Sequence, residues 1–136
     1  MAGESTVDAT LYPDHFEYLT ITLLEANITS AEGDAPIFIA DRDIIIDSIS
    51  FMANVDDSTD VSFVLRKVAS GTAPSGGTAI CTAITDTVGA YTTIAGVIDT
   101  DENLVTAGQY LAFDFTDSSA TIDLLHATIR FRTRRK

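Results

Sequence analysis

Hydrophobic and polar residues alternate along most of the chain with a period of two, which is typical of half-buried β-strands. In the clearest case, Leu111, Phe113 and Phe115 lie on one face of the predicted strand, while Ala112 and Asp114 lie on the other. β-branched residues are frequent in these runs, and turn-forming residues separate them. The pattern therefore predicts a protein built from short strands.

The same criteria predict strands throughout the rest of the sequence: Phe16–Ala26, Pro36–Ala40, Ile44–Ala53, a strand beginning at Val61, Thr78–Ile84, Val88–Ile94, Leu104–Ala107, Gln109–Phe115 and Thr121–Thr133. The threonines of the first run favour a strand there over a helix. In the third run, one face, taken as the inner one, would carry Ile45, Ile49, Phe51 and Ala53, and Asp47 interrupts it. In the last run the inner face comprises Leu125, Ala127, Ile129 and Phe131, and the outer face comprises His126, Thr128, Arg130 and Arg132.

Eight or nine strands in 136 residues predict one all-β domain, a single antiparallel β-sandwich that is jelly-roll-like. Residues 1–13 show no sustained period and form a predicted N-terminal arm, and residues 14–136 form the sandwich with a basic C-terminal strand. The Gly- and Ser-rich segment from Ser70 to Thr78 is a connector between strands. The N-terminus has neither a basic start nor an apolar stretch, so we expect no secretory signal.

Charge is distributed very unevenly along the chain. Twenty acidic residues and eight basic ones give a net charge of −12, and five of the basic residues fall within the last seven positions. The remaining 129 residues carry three basic and twenty acidic side chains, a net of −17. Such an acidic body disfavours binding to nucleic acids and to anionic membranes.

The sequence offers little evidence of catalysis. The glycines of Gly71–Thr78 resemble a phosphate-binding loop, but Gly77 stands where its lysine belongs. Carboxylates cluster at Asp56, Asp57 and Asp60 and at Asp99, Asp101 and Glu102, where weak calcium binding remains an alternative to solvated turns. The histidines His15 and His126 and the single Cys81 match no catalytic pattern. We therefore expect neither enzymatic activity nor a cofactor or bound metal.

The C-terminal basic strip, defined as Arg130, Arg132, Arg134, Arg135 and Lys136, is the strongest functional candidate. In a strand, its first three arginines project from one face while Phe131 anchors the other. The strip could be a solvated tail, a docking surface for carboxylates on a partner or a neighbouring subunit, or, least consistent with the acidic body, a nucleic-acid contact.

Several stretches resemble small virion proteins of tailed double-stranded DNA bacteriophages, above all their capsid decoration (cement) proteins. The stretches are Ile45–Ala53, Val61–Val68, Ser70–Ile80, Leu104–Phe115 and Ile129–Thr133. The resemblance implies a homotrimer that binds the major capsid protein on the outside of the assembled head, after synthesis in the bacterial cytoplasm. On this view the arm residues Asp8, Leu11, Tyr12 and Pro13 and the basic strip are interface candidates. Tail and fibre modules share the sandwich, so the alternative is a receptor- or glycan-binding module that uses loops such as Asn54–Asp60 and Asp99–Asn103.

Overall fold

The structure is a computed structural model that describes residues 16–24, 34–53, 61–86, 90–117 and 124–134. These residues form ten strands and one short 3-10 turn at Pro74–Gly76, and they contain no α-helix. The strands are β1 (Phe16–Leu24), β2 (Asp34–Ile39), β3 (Ile44–Ala53), β4 (Val61–Val68), β5 (Thr78–Ala79), β6 (Ile84–Asp86), β7 (Ile94–Ala95), β8 (Leu104–Val105), β9 (Tyr110–Asp117) and β10 (Leu124–Thr133).

The strands form two antiparallel sheets of five strands each. The first sheet has the order β1-β10-β3-β7, with β8 also paired to β3, and the second has the order β2-β9-β4-β5, with β6 also paired to β4. Consecutive strands β1 to β4 alternate between the sheets, so the chain crosses from one layer to the other at each connection. The predictions of an all-β fold and of antiparallel sheets are confirmed.

The core lies between the two sheets and is rich in phenylalanine. Phe63 of β4 is fully buried and makes an edge-to-face contact with Phe51 of β3, at 4.9 Å between ring centroids. Its ring also lies 5.1 Å from that of Phe113 on β9. The contact with Phe51 joins the two sheets face to face, whereas the contact with Phe113 lies within the second sheet. Such aromatic pairs add about 0.5–1.5 kcal/mol each beyond the burial of their surface.

A β-bulge in β3 determines which of its residues enter the core. Arg130 pairs with Ser48 but the next residue of β10 pairs with Ile46, so Asp47 is the extra residue. Before the bulge Ile46 is buried, whereas Ile45 is only partly buried. The prediction that Ile45 shares the inner face with Ile49 was wrong, because one inserted residue reverses the alternation of a strand.

The connector between β4 and β5 packs over the outer face of the second sheet. Its 3-10 turn contacts β2, β4 and β9, and Pro74 is buried. Beneath it Ala112 is fully buried and Asp114 is 9% exposed, although both lie on the face opposite the core. The connector predicted from glycine and serine content is therefore also a cover for the sheet.

Candidate functional site

Strand β10 places the first part of the basic strip on the outer face of the first sheet. Ala127, Ile129 and Phe131 are buried, whereas the intervening Arg130 and Arg132 are only partly buried. The predicted inner and outer faces are thus confirmed for these residues. Because β10 is paired on both sides, with β1 and with β3, the strand holds these arginines on a rigid scaffold.

Arg130 lies against aromatic side chains of β1. Its guanidinium carbon is 4.4 Å from the ring centroid of Phe16, a cation–π distance. Tyr18, directly opposite Arg130 in the strand register, is 65% exposed. Arg130 Nε is buried and makes no hydrogen bond within the described part of the chain. The result is a cationic group framed by one half-buried and one exposed aromatic ring.

Arg132 is held by the bulge residue of β3. Its Nε lies 3.4 Å from Asp47 Oδ2, and the two side chains are 35% and 18% exposed. The carboxylate reduces the repulsion expected between successive arginines. At this exposure an ion pair contributes about 1 kcal/mol or less to stability, so the contact mainly orients the guanidinium.

Arg134 continues the strip beyond the end of β10. Its backbone N–H donates to the Asp43 carbonyl at 2.9 Å, and its side chain is exposed. Among the described residues, no carboxylate pairs with the Arg134 guanidinium. The structure therefore brings Arg130, Arg132 and Arg134 together at one end of the first sheet. Six predicted interface residues lie outside the described residues: Asp8, Leu11, Tyr12, Pro13, Arg135 and Lys136.

The acidic turn at Asp99–Glu102 uses its carboxylates internally. Asp99 Oδ1 accepts the N–H of Asp101 at 3.0 Å, and Glu102 pairs with Lys67 Nζ at 2.8 Å. Nowhere in the described ranges do three or more His, Cys, Asp or Glu side chains gather as a metal site would require. The other acidic group, Asp56, Asp57 and Asp60, lies outside those ranges.

The remaining residues with potential reactivity lie apart from the basic strip. His126 Nδ1 is 3.3 Å from the Thr22 hydroxyl on the exposed outer face. Cys81 is buried and free, and burial raises the pKa of its thiol, outweighing the opposing effects of a hydrogen bond to the Leu65 backbone and of the Arg66 charge. His15 lies outside the described residues.

An apolar groove at the edge of the second sheet was not predicted. It has a volume of about 630 Å³ and is lined by Pro36, Ile37, Phe38, Ile39 and Tyr110. Ile39 is 75% exposed, which is unusual for an isoleucine. Pro36 was the one sequence signal for an edge strand here, because proline favours that position. The sequence did not show that the neighbouring apolar residues stay uncovered.

Comparison of the chain with protein-family models, with curated proteins and with solved structures finds no match in any of the three. No helix among the described residues is long and apolar enough to cross a membrane.

Proposed function

We propose that this protein is a structural virion component that binds the outside of an assembled bacteriophage capsid and stabilises it. The proposal includes a jelly-roll topology, because a jelly roll likewise distributes eight main strands over two antiparallel sheets. The strand orders β1-β10-β3-β7 and β2-β9-β4-β5 support this assignment, since the chain alternates between the two sheets at each of its first three connections. Together with the resemblance of the sequence to capsid decoration proteins, this topology favours a rigid attachment module.

The observation that carries the proposal is the basic strip on an otherwise acidic protein. Arg130, Arg132 and Arg134 emerge from one rigid strand and its extension. Guanidinium groups bind carboxylates in a planar, bidentate geometry, and exposed Tyr18 adds apolar contact area beside them. The acidic remainder of the protein limits adhesion to DNA and to other virions, so attachment is directed to this end.

Because the attachment site is repeated, several individually weak contacts are sufficient for stable binding to the capsid. A homotrimer would present three basic strips to a junction between capsid subunits, and the second and third contacts would form at high effective concentration. Since the junction exists only in the assembled head, binding there shifts the assembly equilibrium toward the head. The partner is then the major capsid protein, with neither nucleic acid nor membrane involved.

Co-sedimentation with expanded capsids tests the proposal. We expect Arg130→Gln/Arg134→Gln to reduce occupancy at least about tenfold, and the residual binding to weaken with added salt, because exposed charge pairs are screened. The matched control is Arg42→Gln, which removes an exposed cation already paired with Glu17 and Asp41. Wild-type occupancy by the double variant, or no binding of the wild-type protein, would count against the proposal.

Exposed Tyr91 favours the alternative, a glycan-binding module of a tail or fibre. Tyr91 is 72% exposed and has a φ of 59°, a left-handed conformation that is uncommon for tyrosine. Its N–H donates to the Ala53 carbonyl at 2.8 Å, which holds its backbone beside the end of β3. Exposed aromatic rings are suited to stacking on sugars. A glycan array on which the protein binds and Tyr91→Ala does not, with no capsid co-sedimentation, would favour this alternative.

A further inference from the structure

The apolar groove lies along an edge that no described strand covers. β2 pairs with β9 on one side, and no strand of the described ranges pairs with its other side. A register shift between Pro36 and Phe38 marks a bulge there. Bulges and prolines hinder continuous pairing with another sheet edge, so this edge is better suited to binding apolar side chains in its groove than to extending the sheet.

The chain enters β1 at the same end of the sandwich. Phe16 is opposite Arg132 in the register, and the neighbouring Phe131 contacts Phe38 of β2 at 5.8 Å between ring centroids. Glu17 and Arg42 form an ion pair of 3.4 Å, which joins the start of β1 to the chain just after β2. The segment of residues 1–15 is therefore tethered to this end of the sandwich through its bond to Phe16. A stretch of seven residues from this segment, if extended, would reach about 24 Å, which exceeds the length of the six-residue strand β2.

The sequence of residues 1–15 contains apolar residues suited to an apolar groove. Val7, Ala9 and Leu11 alternate with polar residues, and Tyr12 and Pro13 follow. The segment has three acidic residues and no Lys or Arg. Among the described residues at this end of the sandwich, the cations are Arg42, Arg130, Arg132 and Arg134, and the carboxylates are Glu17, Asp41, Asp43 and Asp47. These four cations and four carboxylates balance within a protein of net charge −12, so an acidic segment is repelled less here than by the acidic body as a whole.

We infer that the N-terminal segment folds back on its own domain and places Leu11 and Tyr12 in the β2 groove. The occupant is the same chain because a short tether gives an effective concentration on the order of mM, above the concentration of free protein in ordinary solution. Apolar burial drives the contact, and the balanced charge at this end opposes the acidic segment less than the acidic body would. The inference is independent of capsid binding, and it means that the exposed apolar edge is covered in the free protein.

Methyl-labelled NMR of the full-length protein tests the inference. We expect nuclear Overhauser contacts between the Tyr12 ring and the methyl groups of Ile37 or Ile39. We also expect a soluble nitroxide to relax the Ile39 methyl at least about twofold more weakly in the wild-type protein than in Leu11→Asp/Tyr12→Asp. The reason is that the docked segment keeps the probe away from Ile39 in most wild-type molecules. The matched control Gly3→Asp/Ser5→Asp adds two charges to the same segment and should leave both signals unchanged.

The groove side is tested with Ile39→Asp, which should abolish the contacts to Tyr12. Its control is Val97→Asp at another exposed apolar residue, 67% exposed, which should preserve them. A sample that mixes labelled and unlabelled chains identifies the copy that supplies the segment. Contacts between different copies, contacts that vanish on dilution, or the absence of any Tyr12 contact in the wild-type protein would each overturn the inference.

Discussion

Replacing Asp114 by alanine removes the carboxylate that neutralises Arg66 beneath the connector. Arg66 Nε donates to Asp114 Oδ2 at 2.6 Å, and the side chains are 22% and 13% exposed. In the variant the guanidinium would keep its hydrogen bond to the Gly77 carbonyl at 3.1 Å but would lose its counter-charge. Desolvated charge without a partner is unfavourable, so the folded state should be destabilised.

The expected loss lies between two known limits. Breaking a fully buried pair costs about 3–5 kcal/mol, whereas an exposed pair contributes about 0–1 kcal/mol. Because Arg66 retains one hydrogen bond and some contact with water, we expect about 2–3 kcal/mol for Asp114→Ala. For a small domain this is a large share of a total stability of about 5–15 kcal/mol.

Urea denaturation followed by circular dichroism measures the change. The midpoint should fall by about 1 M with an unchanged slope. Glu17→Ala is the matched control: its pair with Arg42 is exposed, and its removal should cost less than about 0.5 kcal/mol. Arg66→Met/Asp114→Leu should recover most of the loss, because it leaves no charge under the connector. A change below about 0.5 kcal/mol for Asp114→Ala, or a double variant less stable than the single one, would refute the reasoning.

Three further predictions concern the core and its thiol. Gly96→Ala should cost about 1–3 kcal/mol in urea denaturation, because the added Cβ would lie 2.6 Å from Ile49 Cγ2; wild-type stability would show that the sheet yields easily there. Phe63→Ala should cost about 3–5 kcal/mol, since its ring joins both sheets, and a loss below about 1 kcal/mol would contradict that role. Burial raises the pKa of Cys81 above its ordinary value of 9.0, so above that pH the unfolded chain loses its thiol proton first and stability should decline as pH rises. Cys81→Ala should flatten this decline in denaturation measured across alkaline pH, and an unchanged slope would show that other groups cause it.

Strand positions could be predicted from the sequence where one face is buried and the other is solvated. Phe113 and Ile129 follow this rule, and their inward orientation was predicted from alternation alone. Ile45 does not follow the rule, because Asp47 is an inserted bulge residue. Alternation along one strand cannot locate such a residue unless the register with β10 is known. Ala112 was assigned to the correct face, but its burial depends on a connector whose path is set by tertiary contacts.

In the candidate sites, too, some features could be predicted from local spacing and others depend on long-range pairing. Arg130 and Arg132 could be placed on one face from local spacing, since residues two apart in a strand project together. Their partners could not be predicted, because Phe16 is far from Arg130 in the sequence and becomes its neighbour only through pairing of β1 with β10. The β2 groove likewise depends on Tyr110, which long-range pairing brings beside Ile39.

Pairing of the first strand with the last has a consequence for synthesis of the protein. Thr22 and His126 are neighbours across β1 and β10 but are separated by 104 positions in the chain. The first sheet therefore lacks its central strand until nearly the whole polypeptide has left the ribosome, several seconds after β1 at about 5–20 residues per second. During that interval β1 and β3 expose unsatisfied backbone and apolar side chains, and a truncated product without β10 would remain in that aggregation-prone condition.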